Sequence, residues 1–425
     1  MLPSLPSDNA NSPILVGLSG GLDSSVLLHL LAQHPELRSI GLRAIHVHHG
    51  LHPDADAWAA HCESLCASLH IPLTIAHVEV RNDGDGPEAA ARAARHAAFE
   101  CELRDGEILA LAHHRDDQAE TFLLRALRGS GSDGLGAMRA WRAFGRGWLW
   151  RPLLSQPREA LREYAIANDL RWIEDPSNAD ERFDRNFLRR RVLPLLRERW
   201  THADASFARS AELSAETADA FARIDDAMLD SLVDDDTLPC DALRALPVDA
   251  RARLLRRWIQ HLDLPPLPAD GLRRIESELL PAAEDRIPHY DWSGARILRW
   301  NGRLHARRDA GDAWPVDWQS EWDGSSPLSL PDGSTLALEG APCFDSAVRV
   351  RARSGGERIV LPGRTHSHSL KHVLQERGLP PWDRARLPLL LAADGSLLAA
   401  GADILAAPFA DWLDRHGARL RRGLA

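Results

Sequence analysis

Cysteine is scarce. The 425-residue chain has five (Cys62, Cys66, Cys101, Cys240 and Cys343), scattered and without a C-x-x-C pair. That excludes a disulfide framework and leaves zinc and iron–sulfur sites without a ligand set. Lysine is scarcer still: every one of the 51 basic residues except Lys371 is arginine. A lysine kept in that background is a candidate for a position that wants a compact ammonium. No apolar run is long enough to span a bilayer, and the opening stretch, MLPSLPSDNANSP, has no basic segment followed by an apolar one. A cytoplasmic protein without a membrane partner is expected. The formal net charge of −10 argues against a general nucleic-acid binder and moves attention to how charge is distributed. The length predicts two or three domains.

What is present is organised around Ser19-Gly20-Gly21-Leu22-Asp23-Ser24-Ser25. An apolar run, Ile14–Leu18, precedes it. Leu22, Val26, Leu27, Leu30 and Leu31 follow at helical spacing, so the stretch reads strand, glycine turn, helix. Adjacent glycines permit a backbone that side chains would block, and the N–H groups of the turn and helix start converge where an anion is favoured. Serine hydroxyls on both sides add donors. Such a nest suits a phosphate or pyrophosphate.

Further apolar runs at Leu42–Val47, Leu73–Val80 and Ile108–Ala112 alternate with helical stretches that include Ala57–Leu69 and Glu88–Leu103. This is the pattern of a parallel sheet with helices on both faces, whose ligands bind at the carboxyl ends of the strands. The second strand ends in His46-Val47-His48-His49-Gly50-Leu51, read as a strand end beside a nucleotide base. The fourth ends in His113-His114-Arg115-Asp116-Asp117-Gln118-Ala119-Glu120. One aspartate explains a helix cap; two aspartates, Gln118 and Glu120 at one strand end point to chemistry. Gly134–Met138 reads as a flexible loop able to close over a substrate.

The net charge hides a basic stretch. Arg182, Arg185 and Arg189 fall on one predicted helical face, where arginine suits phosphate. Beyond it the chain turns helical and acidic, with no evident chemistry. Hairpins are predicted across Asn301-Gly302 and across Pro331–Ser334. The last stretch reads as α+β, and Arg353, Arg358, Arg364, Lys371, Arg377, Arg384 and Arg386 with Trp382 form a second candidate RNA surface.

The S-G-G-x-D-S turn resembles the PP-loop of ATP pyrophosphatases and lacks the Gly-Lys-Ser/Thr ending of the Walker loop. Together with His46–Leu51, His113–Thr121, Arg128–Gly131, Trp172–Asn178, Asp184–Arg189 and Leu370–Trp382, it makes essentially the whole chain similar to the tRNA(Ile)-lysidine synthases. The pattern departs at His96, where a tyrosine is expected, and at Ser369 and His372, where lysines are commoner.

The resemblance implies a Rossmann-like PP-loop domain over 1–205, a mainly helical middle domain with hairpins over 206–340, and an α+β tRNA-binding domain over 345–425. It implies a ligase that adenylates C2 of the wobble cytidine in an isoleucine tRNA with a CAU anticodon. Free lysine then displaces AMP; pyrophosphate is the other product. ATP is implied as substrate and Mg²⁺ as cofactor. Ser19, Gly20, Gly21, Leu22, Asp23, Ser24 and Ser25 would hold ATP. Asp23, His113, Asp116, Asp117 and Glu120 are the catalytic candidates, with Asp23 and Asp117 on the metal. Arg182, Arg185, Arg189, Arg358 and Lys371 are assigned to RNA. A homodimer is left open. The competing reaction is tRNA 2-thiolation, which usually needs paired cysteines; Cys62 and Cys66 are expected on a helix away from the site. A binding protein with a decayed nucleotide site conflicts with the intact turn.

Overall fold

The structure is a computed structural model, and it describes residues 2–3, 5–6, 9–50, 52–80, 87–283, 286–308, 314–315 and 317–424. Leu51, the end of the predicted His46–Leu51 stretch, lies outside the described residues. The chain divides into two compact units, Met1–Ile224 and Asp225–Ala425. Among the described residues no helix is long and apolar enough to cross a membrane.

The first unit is built on a six-stranded sheet. Its elements run β1 (Ile14–Gly17), α1 (Leu22–Ala32), α2 (Pro35–Gly41), β2 (Leu42–His48), α3 (Ala55–Leu69), β3 (Leu73–His77), α4 (Pro87–Glu102), β4 (Ile108–Ala110), α5 (Arg115–Leu127), α6 (Ser132–Leu135), β5 (Trp141–Phe144), β6 (Gly147–Trp150) and α7 (Arg158–Ala167). Strand order is β3-β2-β1-β4-β6-β5, parallel except for the edge strand β5. Successive strand residues serve opposite faces. Ile14, Val16, Ala44, Ile108 and Ala110 pack with α1, α3 and α7. Leu15, Ile45, Val47, Leu109 and Leu149 pack with Phe99 and Leu103 of the α4 segment. Both faces are covered, which is why these strands read as continuous apolar runs. Each fully buried leucine or isoleucine contributes about 2–3 kcal/mol of transfer free energy. The β5–β6 ribbon was not visible in the sequence, being two four-residue strands on a two-residue turn.

Three short pieces follow: α8 (Asp184–Phe187), a widened turn at Leu188–Val192 and α9 (Leu193–Arg199). Pro194 cannot donate a backbone hydrogen bond and crowds the preceding turn, which accounts for the widening. The helix α10 (Ala203–Leu232) then carries the chain into the second unit.

There, one core gathers Leu238, Leu243, Leu254, Trp258, Leu272 and Leu304 from α11 (Cys240–Ala245), α12 (Val248–His261), α13 (Ala269–Arg274) and a sheet whose strands lie in the order β7 (Leu238–Pro239), β10 (Arg303–Arg308), β9 (Ala295–Trp300), β8 (His289–Trp292). The predicted Asn301-Gly302 hairpin is present as β9 (Ala295–Trp300) and β10 (Arg303–Arg308). Both turn residues have positive φ, 48° and 72°, as a primed turn requires. A separate core joins Trp322, Leu336, Val350, Leu390, Phe409 and Leu420. In it the strand Gln319–Trp322 pairs with Val348–Arg351, and Ser334–Glu339 pairs with Arg419–Leu424. The expected boundary between 340 and 345 therefore cuts through two strand pairings. Residues 319–339 are stitched to the C-terminal sheets because partners far apart in sequence complete their hydrogen bonds.

Candidate active site

The glycine turn leaves β1 and enters α1 directly. Gly20 has φ +82°, and a Cβ there would stand 2.8 Å from Ile173 Cδ1 and 3.1 Å from Cys62 Sγ. Only glycine meets both conditions. Ile173 N–H donates to the Gly20 carbonyl at 2.9 Å, so the predicted Trp172–Asn178 stretch is strapped to the turn. Ser19 and Ser24 support it from within. The Ser24 hydroxyl accepts from the Ser19 N–H (3.2 Å) and donates to the Gly21 carbonyl (3.1 Å). Gly21 supplies no side-chain cap, so the first N–H groups of α1 are left for an anion. Asp23 sits in that first turn. Its Oδ1 is buried without a hydrogen-bond partner, the nearest cation being Arg158 Nε at 3.8 Å.

The predicted acidic strand end lies beside the turn. His114, which sequence reasoning passed over, caps α5 and is buried. Its Nε2 is 3.6 Å from Asp23 Oδ2 and 3.3 Å from Asp117 Oδ2. Burial opposes its charge, but Asp23, Asp117 and Asp116 outweigh burial and raise its pKa. The only sequence signal for this hub was a doubled histidine just ahead of the two aspartates.

The carboxylates are not free. Asp117 Oδ1 accepts from Arg185 (2.9 Å) and Arg189 (3.1 Å), and Oδ2 from the His114 N–H (3.1 Å). Burial raises the Asp117 pKa, yet His114 and the arginines prevail and hold it at about 2. Glu120 has no exposed surface and takes Arg185 Nε on Oε2 (2.7 Å) and Arg189 on both oxygens. Asp116 accepts from the Arg158 N–H (3.1 Å) and from Arg197 (3.0 Å), which also clasps Asp204. His113 accepts from Arg151 Nε on Nδ1 (3.1 Å). Burial and the neighbouring arginines overcome Asp117 and bring its pKa down to about 3, so His113 is neutral with its proton on Nε2.

These contacts correct several expectations. Arg182, Arg185 and Arg189 do not form one face turned to phosphate. Arg182 precedes α8 and pairs with Asp180 at 2.6 Å, while Arg185 and Arg189 are ion-paired inside the site. Asp117 has its oxygens committed to cations and an amide, which does not fit a metal ligand. Asp23, with an unpartnered oxygen, does fit one, since Mg²⁺ commonly takes a single carboxylate and completes its shell with phosphate and water. Among the described residues no group of three or more His, Cys, Asp or Glu could hold a metal by itself. Gly134–Met138 is not a loose loop. Gln118 bonds both the N–H and the carbonyl of Met138 at 3.0 Å, and Arg125 bonds the Gly134 and Ala137 carbonyls. Cys62 is not remote either. It packs under Gly20, 3.4 Å from His46 Nδ1, and burial pushes its thiol up to about 12 and that of Cys66 to about 11. His46 points beneath the turn, bonded to the Leu18 carbonyl, rather than toward a base. In the second unit, Arg358 and Lys371 are exposed, Arg358 with two bonds to Ser367. Trp382 packs edge-on against Trp300 and His305.

Three family models match the chain: the PP-loop domain over residues 2–196, the TilS substrate binding domain over 238–305 and the TilS substrate C-terminal domain over 348–421. The tRNA(Ile)-lysidine synthase of Xanthomonas axonopodis pv. citri is 54% identical, covering 99% of this chain and 95% of that protein. The protein of the same name from Methylococcus capsulatus is 43% identical over 93% of this chain and 92% of its own length. Among solved structures, the U34-tRNA thiolase NcsA from Methanococcus maripaludis superposes with a TM-score of 0.42 at 21% identity, over 50% of this chain and 75% of that one.

Proposed function

The chain belongs to the tRNA(Ile)-lysidine synthase family, and from that premise we propose how its residues carry the reaction. The enzyme is a ligase that forms lysidine on tRNA(Ile) and uses ATP. ATP lies with its phosphates on Ser19–Ser25. The C2 oxygen of the wobble cytidine attacks the α-phosphorus and pyrophosphate leaves. The amine of free lysine then attacks C2 and AMP leaves. The cytidine reaches this site by leaving its stack.

The observation that carries this reading is the bridge through His114, 3.6 Å from Asp23 and 3.3 Å from Asp117. It puts a carboxylate cluster against a phosphate nest. The nest's N–H groups stabilise charge on the phosphorus as it becomes five-coordinate. Asp23, with its unpartnered oxygen, would hold a Mg²⁺ ion, which would supply further positive charge at the phosphates. Asp117 and Glu120 take the lysine ammonium in place of an arginine. An Asp117 carboxyl held near 2 is a weak base, so its part is to hold the ammonium rather than to accept its proton. Neutral His113 offers an Nε2–H donor beside them. Arg358 and Lys371, both exposed, meet tRNA phosphates. The division into catalytic, middle and tRNA-binding domains is supported by the separate apolar cores. Thiolation is disfavoured because Cys62 and Cys66 are buried neutral thiols.

The test is direct. Protein, ATP, Mg²⁺, labelled lysine and a tRNA(Ile) transcript with a CAU anticodon should give label in RNA together with AMP. Protein that binds ATP yet transfers no label would sink the proposal.

A further inference from the structure

Arg151 directly follows β6, with 6% of its surface exposed. Its Nε donates to His113 and its Nη1 to the Arg139 carbonyl at 2.7 Å. Among the described residues no carboxylate pairs with it. Burial first, then the positive charges of Arg142, Arg92 and Arg125, bring its pKa down to about 10. Arg142 lies on β5, exposed, with its guanidinium over the Phe144 ring at 5.3 Å and a bond to the Ala143 carbonyl. It too has no carboxylate partner among the described residues. Elsewhere in this unit the arginines that enter the site, 185, 189 and 197, are all matched by acids. A buried guanidinium without an anion is costly to maintain, and a ligand anion relieves that cost.

The sheet order gives the ligand's place. The phosphate turn leaves β1, His113 leaves β4 and Arg151 leaves β6, in adjacent order β1-β4-β6. Arg151 is thus two strands, about 10 Å, along the edge from the phosphate turn. We propose that Arg142 and Arg151 clamp a backbone phosphodiester of the tRNA anticodon loop, next to the nucleotide whose base enters the site. This rests on the lysidine-forming reading. A phosphodiester fits better than pyrophosphate because the pair is offset from the turn and opens outward through exposed Arg142, as a continuing strand requires. Backbone contacts set the register of a nucleic acid, and a base drawn from its stack needs its flanking phosphate fixed.

The test uses the full-length enzyme and a tRNA(Ile) transcript with a CAU anticodon. Arg142→Ala should raise the tRNA Kd and KM about tenfold and lower the slope of log Kd against log salt by about 0.7. Its KM for ATP should stay within about twofold of wild type, and Arg142→Lys should recover part of the loss. Arg151→Gln should weaken tRNA in the same direction. A transcript with one methylphosphonate beside the wobble nucleotide should bind wild type more weakly but Arg142→Ala no worse; this comparison needs no assumption about the fold of Arg151→Gln. An unchanged tRNA Kd and slope in Arg142→Ala would overturn the clamp. So would an equal loss for ATP or pyrophosphate, which would assign the pair to the nucleotide. Wild type that forms no lysidine would remove the underlying reading instead.

Discussion

Arg189 grips Glu120 with a two-pronged contact, Nε to Oε1 at 2.6 Å and Nη2 to Oε2 at 2.9 Å, on a carboxylate with no exposed surface. Arg185 completes the cage from one helical turn earlier. Removing the acid leaves two guanidinium groups, 25% and 31% exposed, with Asp117 alone. Glu120→Ala should therefore destabilise the protein by about 3 kcal/mol, the lower end for a broken buried pair. Denaturant unfolding measures it; a midpoint equal to wild type would refute the cage as a stabilising element.

Acid should weaken the protein in two stages. Unfolded His113 gains its proton near 6.5, whereas the folded residue stays neutral to about 3. The unfolded state therefore binds more protons through that window, and stability falls as pH falls. Asp117 adds a second loss, from its ordinary 3.8 down to about 2. His114 acts oppositely: its raised pKa gives stability below 6.5 that is lost as pH rises through the folded value. His113→Asn keeps the acceptor for Arg151 and cannot titrate. It should flatten the fall in stability between pH 6 and 4 by about 1 kcal/mol per pH unit, since His113 is only half-buried by area. An unchanged slope in urea titrations across that range would contradict the assignment.

Gly20→Ala should cost about 1–2 kcal/mol from its positive φ alone. The added methyl also meets Ile173 and Cys62. Calorimetry should show ATP affinity falling further than the melting temperature implies, because the turn itself must shift. Ile173→Ala in the same protein should relieve the contact but not the backbone strain. Full recovery in the double variant would show that φ is not limiting.

Asp23→Asn should change the melting temperature little, since the relief of an unpartnered buried oxygen is offset by the lost pairing with His114. Pyrophosphate release should drop at least about a hundredfold and need more Mg²⁺. Activity that is normal at low Mg²⁺ would remove Asp23 from the metal.

The phosphate turn, four of the five parallel strands and the Asn301-Gly302 hairpin were legible in the sequence because each depends on residues close together in the chain. Glycines reach positive φ, apolar residues repeat at a strand or helix period, and a strand end carries its own polar cluster. The family pattern added the reaction. The order of charges inside the site was not legible. Arg185 and Glu120 are 65 positions apart, and nothing local distinguishes an arginine that closes a carboxylate cage from one that meets phosphate. The same holds for Gln118 pinning Met138, for Cys62 under Gly20, and for 319–339 joining the C-terminal sheets. Arg151 is the clearest case. In sequence it is one of 50 arginines; burial without a carboxylate, a property of the packing around it, is what makes it a candidate for an anion. The sequence by itself determined the local backbone and the chemistry available at each strand end. Only the tertiary structure decided which charges cancel and which remain for substrates, because ion pairing is settled by distance in space and by exclusion of water.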